Sequence, residues 1–147
     1  MSTSLTTHSP ADVLLKYLEQ EGLTTYNDVV WPVMVNIILP TAPDRLIMGS
    51  DTQGFTPTKH FDGSSHDRPG VQLVLRSTPN DLSSLRGILH NIEEHLLPLH
   101  RVLVIYDAAS YRLHNVQRVS GPIPLPRDQS LRWLWSVNYI LTITQEG

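Results

Sequence analysis

The chain contains no cysteine, which excludes disulfide staples, thiolate metal sites and any mechanism built on a cysteine nucleophile. Long apolar runs are also missing. The longest uncharged stretch, Val29–Pro43, is interrupted by Pro32, Asn36, Pro40 and Pro43 and falls short of the roughly 20 apolar residues a membrane-spanning helix needs. Met1–His8 lacks the basic and apolar regions of a secretory signal and is expected to be a flexible lead. Positive charge is scarce: Lys and Arg number 11 against 14 Asp and Glu, a net charge of -3. No general electrostatic attraction to nucleic acid follows from that balance. Neither standard glycine-rich phosphate loop occurs, nor an HExxH metal motif. At 147 residues the chain is long enough to bury a core as one domain, residues 1–147.

The strongest pattern lies near the end. From Leu131 to Ile143, alternate residues are Leu131, Trp133, Trp135, Val137, Tyr139, Leu141 and Ile143. Side chains alternate sides on a strand, so these residues share one face, and the other face is mixed. Trp, Tyr, Val, Ile and Thr also suit a pleated, half-buried surface. The spacing therefore predicts a strand around which the remaining elements are organised, with helices on its apolar face.

Further elements can be read upstream. Ser9-Pro10-Ala11-Asp12 carries a cap, a proline suited to the first helical position and an acid three residues on, so a helix is expected up to Gly22. Val33–Leu39 alternates as a strand, and Arg45–Met48 after Pro43-Asp44 is read as its hairpin partner. Residues 49–70 show no periodicity and are expected to be a long loop, the segment most open to function. Val71–Arg76 alternates again. Thr78-Pro79-Asn80-Asp81 resembles the first helix start, and Leu82, Leu85, Leu89, Ile92 and Leu96 form one helical stripe. Leu99–Tyr106 is read as a strand buried on both faces. Ser110–Val119 is more polar and is placed near an edge. Gly121–Asp128 is proline-rich and extended. The expected class is α+β: a mixed, mostly antiparallel sheet of about five or six strands packed by two helices.

Candidate chemistry is thin. His60 and His66, with Asp62 and Asp67, could chelate weakly, but a polar loop that happens to contain histidine is much the better explanation. His90 and His95 are spaced so that they do not share a helix face. Asp62, Ser64 and His66 lack the rigid turn and oxyanion hole that a serine nucleophile requires. Trp133 and Trp135 are in phase with an aliphatic face and are read as core. No catalytic, cofactor or metal site is expected. Arg76, opposite Leu75 at a strand end, is either an ordinary exposed end or an ion-pair donor between subunits.

The segment Pro69-Gly70-Val71-Gln72-Leu73-Val74-Leu75-Arg76, followed by a capped amphipathic helix, resembles the strand and helix of the tail terminator and minor capsid (head-tail joining) proteins of tailed bacteriophages. Arg127-Asp128-Gln129, Arg132 and Ser136-Val137-Asn138-Tyr139 are similar to that family's closing segment. Ile37-Ile38-Leu39-Pro40 and Pro43-Asp44-Arg45-Leu46-Ile47 resemble its first hairpin. The glycine that often follows the family's arginine is absent, since Ser77-Thr78-Pro79 follows Arg76. The resemblance implies a non-enzymatic virion part in the phage tail or neck, assembled in the host cytoplasm. It would form a homo-oligomer, a hexameric ring on the tail tube, bound to the tube protein on one side and a head-completion or connector protein on the other. DNA would pass through the lumen without specific binding. Arg76, Phe55, Phe61, Arg127, Asp128 and Arg132 are the candidate assembly residues. Another neck protein, or an α+β domain with a small-ligand or hydrolytic site in 49–70, remains the competing expectation.

Overall fold

The structure, a computed structural model, describes residues 8–22, 33–35, 45–59 and 65–146. Its elements run α1 (Pro10–Gln20), β1 (Val33–Val35), β2 (Leu46–Lys59), β3 (Ser65–Ser77), α2 (Leu82–Leu96), β4 (Val102–Tyr106), β5 (Ala109–Leu125) and β6 (Trp133–Glu146). The strands form one sheet in the order β1-β2-β3-β6-β5-β4. All neighbours are antiparallel except β1 and β2, which run parallel. This is the expected α+β class, with β6 at the centre of the sheet.

The alternation in β6 translates directly into packing. Val137, Tyr139, Leu141 and Ile143 are buried in the core, and Trp133 and Trp135 lie half-buried at its margin. Cross-strand rows extend this face: Ile47–Leu75–Trp135 on β2, β3 and β6, and Leu113–Ile143 on β5 and β6. The helices close over it. Leu14, Leu15 and Leu18 of α1 and Leu85, Leu89, Ile92 and Leu96 of α2 all belong to the same core.

One helix touches strands far apart in the sheet: α1 packs against β2, β3 and β4. In a flat sheet β2 and β4 would lie about 19 Å apart, at roughly 4.8 Å per strand, nearly twice the width of a helix. The sheet must therefore curl around α1. Close contact with β2 is possible because Gly49 has no side chain: a Cβ there would meet Leu15 Cδ1 at 3.0 Å.

Both helix starts are capped. Ser9 Oγ accepts from the Asp12 amide at 3.2 Å, and Asp51 Oδ1 on β2 accepts from the Ala11 amide at 2.9 Å. α1 ends as expected at Gly22, whose φ of +77° suits glycine. For α2 the cap is Asp81, not Thr78; its Oδ1 accepts from the Ser84 amide at 3.1 Å. Pro79 and Asn80 form a turn instead of the first helical residues.

Three strand expectations need correction. Residues 49–70 are largely strand, not loop: β2 and β3 pair from Leu46↔Arg76 to Lys59↔Ser65, with register shifts between Thr52 and Phe55 and between Phe55 and Thr58. Bulges of this kind break the period-two pattern that makes a strand readable. Gly54 and Gly70 allow the two chains to approach there; a Cβ on Gly54 would stand 2.1 Å from the Arg68 carbonyl oxygen. The second correction is that β1 and β2 do not form an antiparallel hairpin, because Val33↔Ile47 and Val35↔Gly49 are parallel pairs. Residues 36–39 of the expected first strand lie outside the described residues.

The third correction is an exchange of places. β4 is the outermost strand, and β5 lies between it and β6. Leu103 and Ile105 are 39% and 55% exposed on the side away from the helices, so β4 is buried on one face only. Its backbone edge is covered by a side chain: Gln20 donates from Nε2 to the Leu103 carbonyl and accepts at Oε1 from the Ile105 amide. One carboxamide thus takes the place of a neighbouring strand.

Candidate assembly surface

The candidate residues nearest one another in sequence form a folded corner between β5 and β6. Asp128 Oδ1 accepts from the Ser130 and Arg132 amides, each at 3.0 Å, and Oδ2 accepts from Arg132 Nε at 2.7 Å. Leu131, at φ +60°, completes the turn by donating its amide to the Asp128 carbonyl at 2.8 Å. Burial alone would raise the Asp128 carboxyl; the hydrogen bonds from Arg132 and Ser130 and the Arg132 charge outweigh it and hold the group below the usual carboxylate range.

Arg127 anchors this corner to the start of α2. Its guanidinium donates to the Leu131 carbonyl and, at 3.1 Å, to the Pro79 carbonyl. It also lies over the Trp133 ring, 4.2 Å from the centroid. The Trp133 indole N–H donates to the same Pro79 carbonyl at 2.9 Å. Arg127, Asp128 and Arg132 are therefore brought together, but largely through contacts inside the subunit. Asp81 secures the other side of the junction by pairing with Arg45 of β2's approach. The Ser84 hydrogen bonds, then Arg45, keep its carboxyl below the ordinary range.

Of the remaining candidates, Arg76 does not join the corner. Arg76 is 5% exposed and lies on the helix-free side in the row Leu46–Arg76–Leu134. It is neither an exposed strand end nor, in this conformation, a group offered at the rim. Phe55 is on β2 opposite Arg68, and Phe61 lies outside the described residues. Leu46, Val74, Ser136 and Ile140 are also buried on the helix-free side, although the mixed sequence of that face gave little sign of it.

Two surfaces escaped the sequence reading. One is the exposed apolar pair Leu103 and Ile105 on β4. The other is an open groove of about 320 Å³ between α2 and the β5–β6 pair, with Leu89 and Leu97 on one wall and Trp135 and Pro122 on the other. At its side Arg118 of β5 pairs with Glu93 of α2 at 2.8 Å. Beneath, the Tyr139 hydroxyl and Glu93 Oε2 are buried without a hydrogen-bond partner. Burial and the nearby Glu93 charge push the Tyr139 hydroxyl well above its ordinary pKa. Among the described residues no group of three or more His, Asp or Glu side chains is placed to hold a metal. No described helix is long and apolar enough to cross a membrane.

A curled, mostly antiparallel sheet with two helices on one face and tight internal corners defines a small α+β domain. The family model for the bacteriophage tail terminator protein matches residues 17–145, from α1 to the end of β6, and the chain belongs to that family. No curated protein matches the sequence. A solved structure with 13% identity shares the fold at a TM-score of 0.50, covering 94% of this chain and 100% of that one. The protein is thus a structural component of a phage tail.

Proposed function

We propose that the protein assembles into a ring, a hexamer, at the head-proximal end of the tail tube, where it stops tube polymerisation and joins the tube to the head connector. It does so without catalysis. The observation that carries this reading is the family match across residues 17–145. The exposed apolar pair Leu103 and Ile105 beside a blocked β4 edge supports it, since apolar side chains left at a strand margin are suited to burial by another subunit. The net charge of -3 suits a conduit through which DNA passes without being held. Arg76 is assigned to subunit stability in this reading, and the corner Arg127–Asp128–Arg132 to presenting a rigid edge.

The test is tube assembly in vitro. The tail tube protein is polymerised with and without the purified protein, and lengths and ends are measured by negative-stain electron microscopy. Shortened tubes with a ring on one end are expected. Unchanged tubes, with the protein binding only purified connectors, would assign it to the neck instead.

A further inference from the structure

The groove beside α2 has chemistry that ring formation through β4 does not use. Its floor is apolar: Trp135 is half-buried, and Leu97 at the rim is 42% exposed. Its charges are unequally committed. Glu93 is paired with Arg118, and His90 with Glu94 at 2.9 Å. Arg86 makes no ion pair among the described residues; its guanidinium lies over the Trp135 ring, 5.9 Å from the centroid. The walls are a helix and two strands, so the groove exists before anything binds and little ordering cost opposes docking.

Trp and Arg at the centre of a concave apolar patch are the residue types that dominate protein–protein binding energy. A single uncommitted guanidinium selects a carboxylate, which it can grip through two parallel hydrogen bonds. A cationic segment would meet Arg86 and Arg118 together. A nucleic-acid strand would find no continuous basic track.

We propose that this groove docks a segment of a neighbouring virion protein in which an Asp or Glu stands beside a large apolar residue. The carboxylate takes Arg86, and the apolar side chain lies on Trp135 between Leu89 and Leu97. The identity of the partner as a tail or connector protein rests on the tail-terminator reading.

Photocrosslinking in assembled tails tests it, with benzoylphenylalanine replacing the exposed Leu97. The expected product joins this chain to a different virion protein, through a peptide that carries an acidic residue next to a large apolar one. Arg86→Glu should lower the yield about tenfold or more, and Arg86→Lys, which keeps the charge but loses the two-pronged grip, should give a yield between that of Arg86→Glu and that of the wild type. A ring on the tube without that crosslink overturns the docking site alone, as do crosslinks to another copy of this chain or a yield indifferent to Arg86→Glu. A protein that folds but never joins tails overturns the tail-terminator reading and this proposal together.

Discussion

Tyr139 shows how a residue can be well placed for packing and badly placed for its polar atom. Its ring lies in the core row of β6 at 1% exposure, but its hydroxyl has no hydrogen-bond partner. A buried unsatisfied group costs about 1–3 kcal/mol. Tyr139→Phe keeps the ring and should leave stability unchanged or raise it by up to about 2 kcal/mol, measured by urea denaturation. The sign of its pH dependence follows from the raised pKa. The unfolded chain releases the phenol proton near pH 10, at about the ordinary tyrosine value, while the folded chain retains it. The wild type should therefore lose stability as pH rises above that value, and Tyr139→Phe should flatten this alkaline limb. Trp135 is a different case. It is only half-buried, under Arg86, so Trp135→Ala should cost about 1–3 kcal/mol, less than the roughly 3–5 kcal/mol of a fully enclosed aromatic. Dilute subunits unfolded in urea provide the comparison.

At the scale of elements, the β2–β3 ribbon depends on two glycines where its ladder shifts register. Gly54 faces the Arg68 carbonyl, and Gly70 faces Thr52 Oγ1 at 2.4 Å from an ideal Cβ. Gly54→Ala has a backbone atom in its way, which cannot rotate aside. It should cost about 1–3 kcal/mol and make the ribbon the first site of proteolytic nicking. In the wild-type subunit the paired segments of 49–70 should resist protease even before assembly, because their backbone groups are already in a ladder. Early cleavage between Leu46 and Lys59 in the wild type would contradict the paired register. The same ribbon shows why β2 is not legible as a strand beyond Met48. Gly49, Gly54 and Pro57 interrupt its apolar alternation, and pairing with β3 supplies what local propensity does not.

Across the whole molecule, curvature and edges decide what surface is offered. The curled sheet lets α1 reach from β2 to β4, so the short β4 is held at the margin by a helix that begins the chain. Gln20 occupies the outer hydrogen-bonding positions of Leu103 and Ile105, which disfavours indiscriminate strand addition and leaves side chains as the available contact. Ile105→Asp should change the stability of dilute subunits by less than about 0.5 kcal/mol, the usual range for an exposed position. In the ring reading it should also reduce the assembled fraction at high concentration. Sedimentation velocity over a concentration series reads the effect. An unchanged assembled fraction would remove β4 from the subunit interface.

Local chemistry alone determined a good part of this protein. The period-two run of β6 from Trp133 on, the stripe of α2, the Ser9 cap and the Gly22 stop each depend on neighbours within a few residues, and each is present where the sequence placed it; Leu131, expected at the head of that run, lies instead in the turn before β6 and is exposed. The class of fold followed from their order. Tertiary structure decided what no local window contains. The bulged β2–β3 pairing depends on close approach at Gly54 and Gly70, and the parallel seating of β1 depends on where β2 lies. Leu99–Tyr106 reads as an interior strand from composition, yet β4 is outermost because β5 is long enough to pair with β6 along most of its length. Arg76 reads as a surface arginine at the end of a strand, yet cross-strand rows bury it among Leu46 and Leu134. The groove likewise arises only when α2 crosses β5 and β6, bringing Arg86 to Trp135 from a helix distant in sequence. Alternation reports which face a residue occupies; which strand becomes an edge, and what covers each face, depends on contacts between distant segments.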